Sequence, residues 1–384
     1  MKKTMLMGAA VSLVLATSAI PALASERELN TAALDKAVLI KDGENAAGQL
    51  ALVASPNDKW QGADGDKVTG RPVAADAHFR IGSVSKVFEA VVVLQLAAEH
   101  RIDLGEPVQT SLPGVLPDTF APITVRQLLN HTSGLPSVDE GAPDASADEM
   151  IRGRFGYHSF EQIVQTTLRP KNRPAPGPHF APGTKQEYNS FGYRVAGLLI
   201  ERVTGHSFAE EVRTRIAKPL GLTGTSVPGP NPFLPRPYLH GYLTDNAGKV
   251  IDVSVANGDA SSMISTPSDL DKMMVALFRG DLLPPDQQAE LFALPRDANG
   301  ALLCVPQAGT QCLSSGLATA LLPDGSLMWG KTGHDLGYAS GVFATPDLRR
   351  RAVYTTALLA LDDGKAPALA ARLGVAAFTP PAAG

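Results

Sequence analysis

Residues Arg80 to His100 read RIGSVSKVFEAVVVLQLAAEH, and the layout of the chain turns on them. A strand-like His78-Phe79-Arg80-Ile81 gives way to a run from Val87 to Ala98 that is apolar on nearly every side. Such a run predicts a helix buried in a core rather than one lying on a surface. Ser83 and Lys86 stand three apart at its start, so the hydroxyl and the amine share one helical face. A serine hydroxyl becomes a useful nucleophile only when a neighbouring base takes its proton. A lysine can be that base when burial lowers its pKa, and the positive end of the helix favours both alkoxide and neutral amine. About one S-x-x-K is expected by chance at these Ser and Lys frequencies, so its meaning depends on what surrounds it.

Upstream, Lys2 and Lys3 precede an uncharged run from Met5 to Ile20, then Pro21 and Ala22-Leu23-Ala24. This pattern predicts an export signal over residues 1–24, cleaved after Ala24, and not a membrane span. No Cys follows the run to carry a lipid, and no later stretch reaches the roughly 20 apolar residues of a spanning helix. A secreted or periplasmic protein with no stable membrane anchor is expected. The net charge of −4, made more acidic by loss of the two leader lysines, argues against nucleic acid or anionic membrane as a partner. Arg349-Arg350-Arg351 is read as a solvated turn. Cys304 and Cys312, the two cysteines of the chain, are expected to form a disulfide in that compartment, contributing roughly 2.5 kcal/mol. With no paired His motif beside them, no metal and no cofactor is expected. A hydrophobic fraction of 44% supports a large core, and a monomer is expected.

Along the chain, Leu29 to Ile40 reads as a short amphipathic helix and Gly48 to Ala54 as a buried strand. Gly62 to Gly70 reads as a turn making a hairpin. From about Gly105 turns and helices dominate, including Thr124 to Leu129 and a helix Phe191 to Thr204 stopped by Gly205. Two proline-rich stretches, Arg169 to Gly183 and Val227 to Pro237, read as a stiff loop and a return crossing. Tyr238 to Leu243 and Lys249 to Val255 flank hairpin chemistry at Asp245 to Gly248. Thr266-Pro267-Ser268-Asp269 starts a helix. A meander follows: Leu317 to Leu322 turns at Pro323-Asp324-Gly325 into Leu327 to Lys331, and Tyr338 to Ala344 turns at Thr345-Pro346-Asp347 into Arg351 to Leu359. Ala366 to Phe378 is the closing helix, with a tail over 379–384. The expected fold class is α+β. An antiparallel sheet built from both chain ends (25–110 and 238–378) is flanked by helices, with a mostly helical lobe (111–237) inserted.

Lys331-Thr332-Gly333 is placed where a meander strand ends, and Tyr188-Asn189-Ser190 where a helix begins. With Ser83-Val84-Ser85-Lys86 and Leu128 to Leu135 (LLNHTSGL), these resemble, in the same order, the serine penicillin-recognising family. That family includes class C β-lactamases, D-alanyl-D-alanine carboxypeptidases, D-aminopeptidases and related esterases, and the resemblance runs from about Val73 to Leu359. It implies Ser83 as the acylated nucleophile, Lys86 as its proton acceptor or relay, and Tyr188 sharing the proton work. It implies that Lys331 and Thr332 face a substrate carboxylate from the sheet edge, and that Gly333 lets substrate lie along the strand. The backbone N–H groups of Ser83 and His334 become the oxyanion hole. His131, within Asn130-His131-Thr132-Ser133-Gly134, is read as holding a turn.

Two departures stand out. Asn189 and Ser190 reverse the family's usual order, so either could supply the substrate contact of the missing amide. His334 stands where a small hydroxyl residue is common. The activity the resemblance implies is an exported serine D-alanyl-D-alanine carboxypeptidase with a small peptide or β-lactam as substrate. A class C-like β-lactamase, an esterase or D-aminopeptidase, and a penicillin-sensing binding protein are the alternatives.

Overall fold

In a computed structural model, residues 29–138, 145–307, 310–322, 325–361 and 366–378 are described. The leader over 1–24, the tail over 379–384, and Pro323 and Asp324 lie outside them. In chain order the elements are α1 (Thr31–Ala37), β1 (Gly48–Ala54), β2 (Lys59–Asp64), β3 (Phe79–Arg80), a 3-10 turn (Gly82–Val84) and α2 (Ser85–Ala98). Then come α3 (Val108–Ser111), α4 (Val125–Leu129), α5 (Ala147–Gly153), α6 (Phe160–Leu168), α7 (Ser190–Thr204), α8 (Phe208–Val212) and α9 (Lys218–Leu220). The chain returns through β4 (Tyr242–Thr244), β5 (Val250–Asp252), β6 (Ile264–Ser265), α10 (Pro267–Arg279) and α11 (Pro285–Phe292). It closes with β7 (Cys312–Leu313), β8 (Ala318–Leu321), β9 (Leu327–Asp335), β10 (Tyr338–Ala344), β11 (Arg351–Ala357) and α12 (Ala368–Phe378).

Strand β1 is buried along its whole length because both faces of its sheet are covered. Its alternation divides it: Leu50, Leu52 and Ala54 join the main core, while Ala51 and Val53 join a second cluster with Leu34 of α1 and Leu369 and Leu373 of α12. The antiparallel sheet runs β2-β1-β11-β10-β9-β8-β7, so β1 pairs with β11 from the other end of the chain. On the main-core side lies α2, buried at every residue from Ser85 to Leu94. It packs against α7, α8 and α11, which explains its apolar circumference.

Local signals account for the helix ends. Thr266 accepts the Asp269 N–H to cap α10, and Gly205 closes α7 at φ +75. The Cys304–Cys312 disulfide is formed.

Three expectations are corrected. The β1–β2 hairpin turns at Ser55 and Asp58, where the Asp58 N–H donates to the Ser55 hydroxyl at 3.0 Å. Gly62 lies inside β2, and the following turn is organised by Asp66, which accepts from the N–H groups of Val68 and Thr69 and from the Tyr242 hydroxyl. The strand carrying Lys331-Thr332-Gly333 continues to Asp335, since β10 pairs with it through Tyr338↔Asp335. Arg351 is not part of a solvated turn. It opens β11 and makes a two-pronged buried pair with Asp271 of α10, at 2.6 and 3.3 Å. Among the described residues no helix is long and apolar enough to cross a membrane.

Candidate active site

Ser83 is held by what lies on either side of it. Upstream, β3 pairs with β6, and the Arg80 guanidinium is buried against the carbonyls of Pro232, Ser254 and Ala256. Gly82 then takes φ +50, a conformation L side chains rarely adopt. A Cβ there would lie 2.3 Å from the His334 carbonyl oxygen, so a side chain is excluded by contact as well. Ser83 sits in the 3-10 turn, not in the helix proper, and Lys86 in the first turn of α2, 2% exposed. The expected pair is made: Lys86 Nζ donates to Ser83 Oγ at 3.2 Å.

Tyr188 approaches from the residues before α7, and its hydroxyl donates to Ser83 Oγ at 2.8 Å. Its ring lies under Lys331 Nζ, 4.8 Å from the centroid, and near Lys86 Nζ at 5.5 Å. His131 fixes the approach. Buried at φ +62, it accepts the Asn189 N–H on Nδ1 at 3.0 Å and lies tilted against the Tyr188 ring, centroids 4.9 Å apart. Burial and the charges of Lys86 and Lys331 hold it well below its ordinary pKa, hence neutral.

Ser190 and Asn189 resolve into different roles. The Asn189 carboxamide caps α7, accepting from the Gly192 N–H at 2.7 Å and donating to the carbonyls of Leu135 and Pro136. That leaves it turned away from Ser83, and the expectation of a substrate contact from it is corrected. Ser190 instead lines the cavity beside Ser83 and helps hold the Tyr188 hydroxyl down.

The Lys331 segment also differs from expectation. Strand β9 is not a sheet edge, because β8 pairs with it, but only along Leu327 to Gly330. From Lys331 to Asp335 only β10 is paired with it among the described strands. Gly333 is bare at a point where a Cβ would be 2.0 Å from the Ile81 carbonyl oxygen. Its bareness lets the Ser83 turn pack on β9. Lys331 is 6% exposed and donates to the Thr332 carbonyl at 2.9 Å.

Charge at the site favours an ionised tyrosine. Burial pushes the Tyr188 hydroxyl up, but the positive charges of Lys86 and Lys331 and hydrogen bonds with Ser83 and Ser190 outweigh it, holding the hydroxyl down to about 7. Burial lowers Lys331, partly restored by Tyr188. Glu89, one turn beyond Lys86, is wholly buried and pushed up to about 8 by burial, although Arg194 and Lys86 pull the other way.

Two cavities meet at Ser83. One of about 310 Å³ is lined by Gly82, Ser83, Lys86, Ser190, Arg194, Asp259, His334 and Asp335 among others. A larger one of about 680 Å³ is lined by Gln186, Tyr188, Leu303, Leu313, Lys331 and Thr332, again with Ser83 and His334. Cys304 stands in its wall, which gives the disulfide a place beside the site. Arg194, Asp259 and Asp335 were not singled out from sequence. Arg194 carried a signal, standing four after Ser190 on one face of a helix; Asp259 lies in a loop and carried none.

The family model described as Beta-lactamase matches residues 36–376. A D-stereospecific amidohydrolase from Streptomyces sp. superposes with TM-score 0.77 at 30% identity, over 91% of this chain and 98% of that one. A D-amino acid amidase from Ochrobactrum anthropi superposes at 0.73 and 24%, over 90% and 97%. In sequence, esterase EstB of Burkholderia gladioli is 35% identical over 184 residues, 46% of this chain and 45% of its own. A teichoic acid D-alanine hydrolase of Staphylococcus aureus is 28% identical over 214 residues, 54% and 47%. The chain thus spans less than half the length of these two curated relatives.

Proposed function

Because the chain belongs to the β-lactamase family, we propose that it is a serine hydrolase opening amide or ester bonds on the carbonyl side of a D-amino acid through a Ser83 acyl-enzyme. The observation that carries the reading is Ser83 Oγ within hydrogen-bond reach of both Tyr188 and Lys86, where two cavities meet. Tyr188, as phenolate, takes the Ser83 proton while Oγ bonds to the substrate carbonyl carbon. The oxyanion is held by the N–H groups of Ser83 and His334, each worth roughly 3 kcal/mol. Tyr188 then returns the proton to the leaving amine or alcohol, and water removes the acyl group by the same route in reverse. Lys86 and Lys331 keep the phenolate charge balanced throughout. The D-amino acid is supported by the full-length likeness to the D-stereospecific amidohydrolase.

A second reading, the D-alanyl-D-alanine carboxypeptidase, is favoured by Lys331 and Thr332 in the larger cavity, where a leaving carboxylate would meet them. D-alanine p-nitroanilide and an N-acylated D-alanyl-D-alanine peptide, each given to wild type and Ser83→Ala, separate the two. Turnover of the anilide, lost in the variant, is expected; release of D-alanine from the peptide alone would turn the assignment to the carboxypeptidase. Activity retained by Ser83→Ala would sink both. Benzylpenicillin followed by intact mass tests the β-lactamase, which consumes it without a lasting adduct. Export is the companion proposal, supported by the disulfide and checked by fractionation; a monomer is proposed with it and is checked by light scattering.

A further inference from the structure

Ser83 and His334 line both cavities, so the reacting carbonyl carbon lies at their junction. Tyr188, which returns the proton to the leaving group, lines only the larger cavity, together with Lys331 and Thr332. The leaving group therefore occupies that side, and the acyl group is directed into the smaller. This assignment rests on the acyl-enzyme reading above.

The smaller cavity has a definite chemistry. Its lining is glycine, serine, histidine and charged side chains, with no apolar side chain in it beyond the stems of Lys86 and Arg194. At about 310 Å³ it holds roughly ten water-sized groups, enough for a small amino acyl unit. Its charges do not all cancel internally. Arg194 and Asp259 pair at 2.5 Å, and Asp259 also accepts from the N–H and hydroxyl of Ser261 at 2.9 Å each. Asp335 accepts the N–H of Leu336 at 2.7 Å and forms no ion pair among the described residues. Arg80 and Arg194 temper its charge without pairing with it, and Arg80 turns one guanidinium nitrogen, Nη2, to three carbonyls. A carboxylate beside the nucleophile with no ion-pair partner among the described residues is the complement of an ammonium group.

We propose that this cavity binds the acyl group of the substrate and that Asp335 pairs with its free α-ammonium, so the enzyme acts on unacylated, N-terminal amino acids with small side chains. The other ionisable groups facing the ligand are Lys86, Arg194, Asp259 and His334. Burial holds the Asp335 carboxyl above its ordinary value, and an entering cation relieves that strain on its charge.

The test compares D-alanine p-nitroanilide with its N-acetyl derivative on wild type and Asp335→Asn, with p-nitrophenyl acetate as a substrate that has neither group. Wild type is expected to favour the free amine by about tenfold or more in kcat/KM. Asp335→Asn is expected to bring that ratio toward one, mainly through KM. In wild type alone, kcat/KM for the free amine divided by that for the N-acetyl substrate is expected to fall as pH rises through the amine's pKa, near 8. This last readout decides if the variant does not fold. A wild-type ratio near one, a ratio unchanged in Asp335→Asn, or the absence of that fall would overturn the proposal. Inertness toward p-nitrophenyl acetate would overturn the acyl-transfer reading itself, and this assignment with it.

Discussion

At the scale of single residues, the proton balance around Ser83 Oγ is set by Tyr188. Its hydroxyl stands 2.8 Å from the nucleophile and is held down to about 7 because two lysine charges outweigh its burial. The base must be ionised to act, so activity is present above this value and is lost as pH falls through it. We expect kcat/KM for an uncharged ester to drop about tenfold per pH unit below about 7. Tyr188→Phe should cost about 10²–10⁴-fold and flatten that limb. A limb that survives in Tyr188→Phe would assign the titration to another group. Ser83 and Lys86 were legible because a three-residue spacing is itself geometry. Tyr188 was legible only through the motif it shares with relatives, since a lone Tyr before a helix is usually core. Asn189 and Ser190 were legible as a pair but not in their division of labour, which depends on the cap that the Asn189 carboxamide makes with Gly192. Glu89 also carried a signal, an acid near the start of a largely apolar run.

At the scale of elements, the site depends on a 3-10 turn pressed against the half of β9 that β8 does not reach. The strand and the helix flanking that turn were readable from hydrophobic period, as alternation in one and apolar residues on every side in the other. The contact between turn and strand was not, because pairing between segments some 250 residues apart leaves no local pattern. For the same reason the end of β9 was placed too early: β8 leaves it at Gly330 while β10 stays with it to Asp335. Gly82 carries this contact, with its Cβ position 2.3 Å from the His334 carbonyl and its φ at +50. Gly82→Ala should force the turn from the strand and separate the two oxyanion donors. A displacement of about 1 Å there is expected to lower kcat by about 10²-fold with a smaller change in KM. Stopped-flow acylation with p-nitrophenyl acetate reads this directly, and an unchanged acylation rate would show that the two N–H groups do not act together.

At the scale of the whole molecule, the two ends of the chain are joined in one sheet. The α+β class was readable because long buried strands occur at both ends with turns and helices between them. The strand order was not, since β1 could have met any of several equally apolar partners. What fastens the returning end is Arg351, the first residue of β11, whose guanidinium grips Asp271 of α10. Both side chains are almost buried, 10% and 12% exposed, so removal of one leaves a charge in low dielectric with nothing to offset it. Arg351→Ala should therefore destabilise by about 3–5 kcal/mol, read as a lower urea midpoint. Arg349→Ala, two residues earlier, removes an arginine 65% exposed whose contact with Asp347 is 3.5 Å, and should change stability by less than about 0.5 kcal/mol. Replacing both partners, Arg351→Met with Asp271→Leu, should recover much of the loss, because desolvation accounts for most of it. Equal midpoints for Arg351→Ala and Arg349→Ala would mean that the three arginines act alike, as a solvated turn, and that the buried pair does not hold β11 to α10.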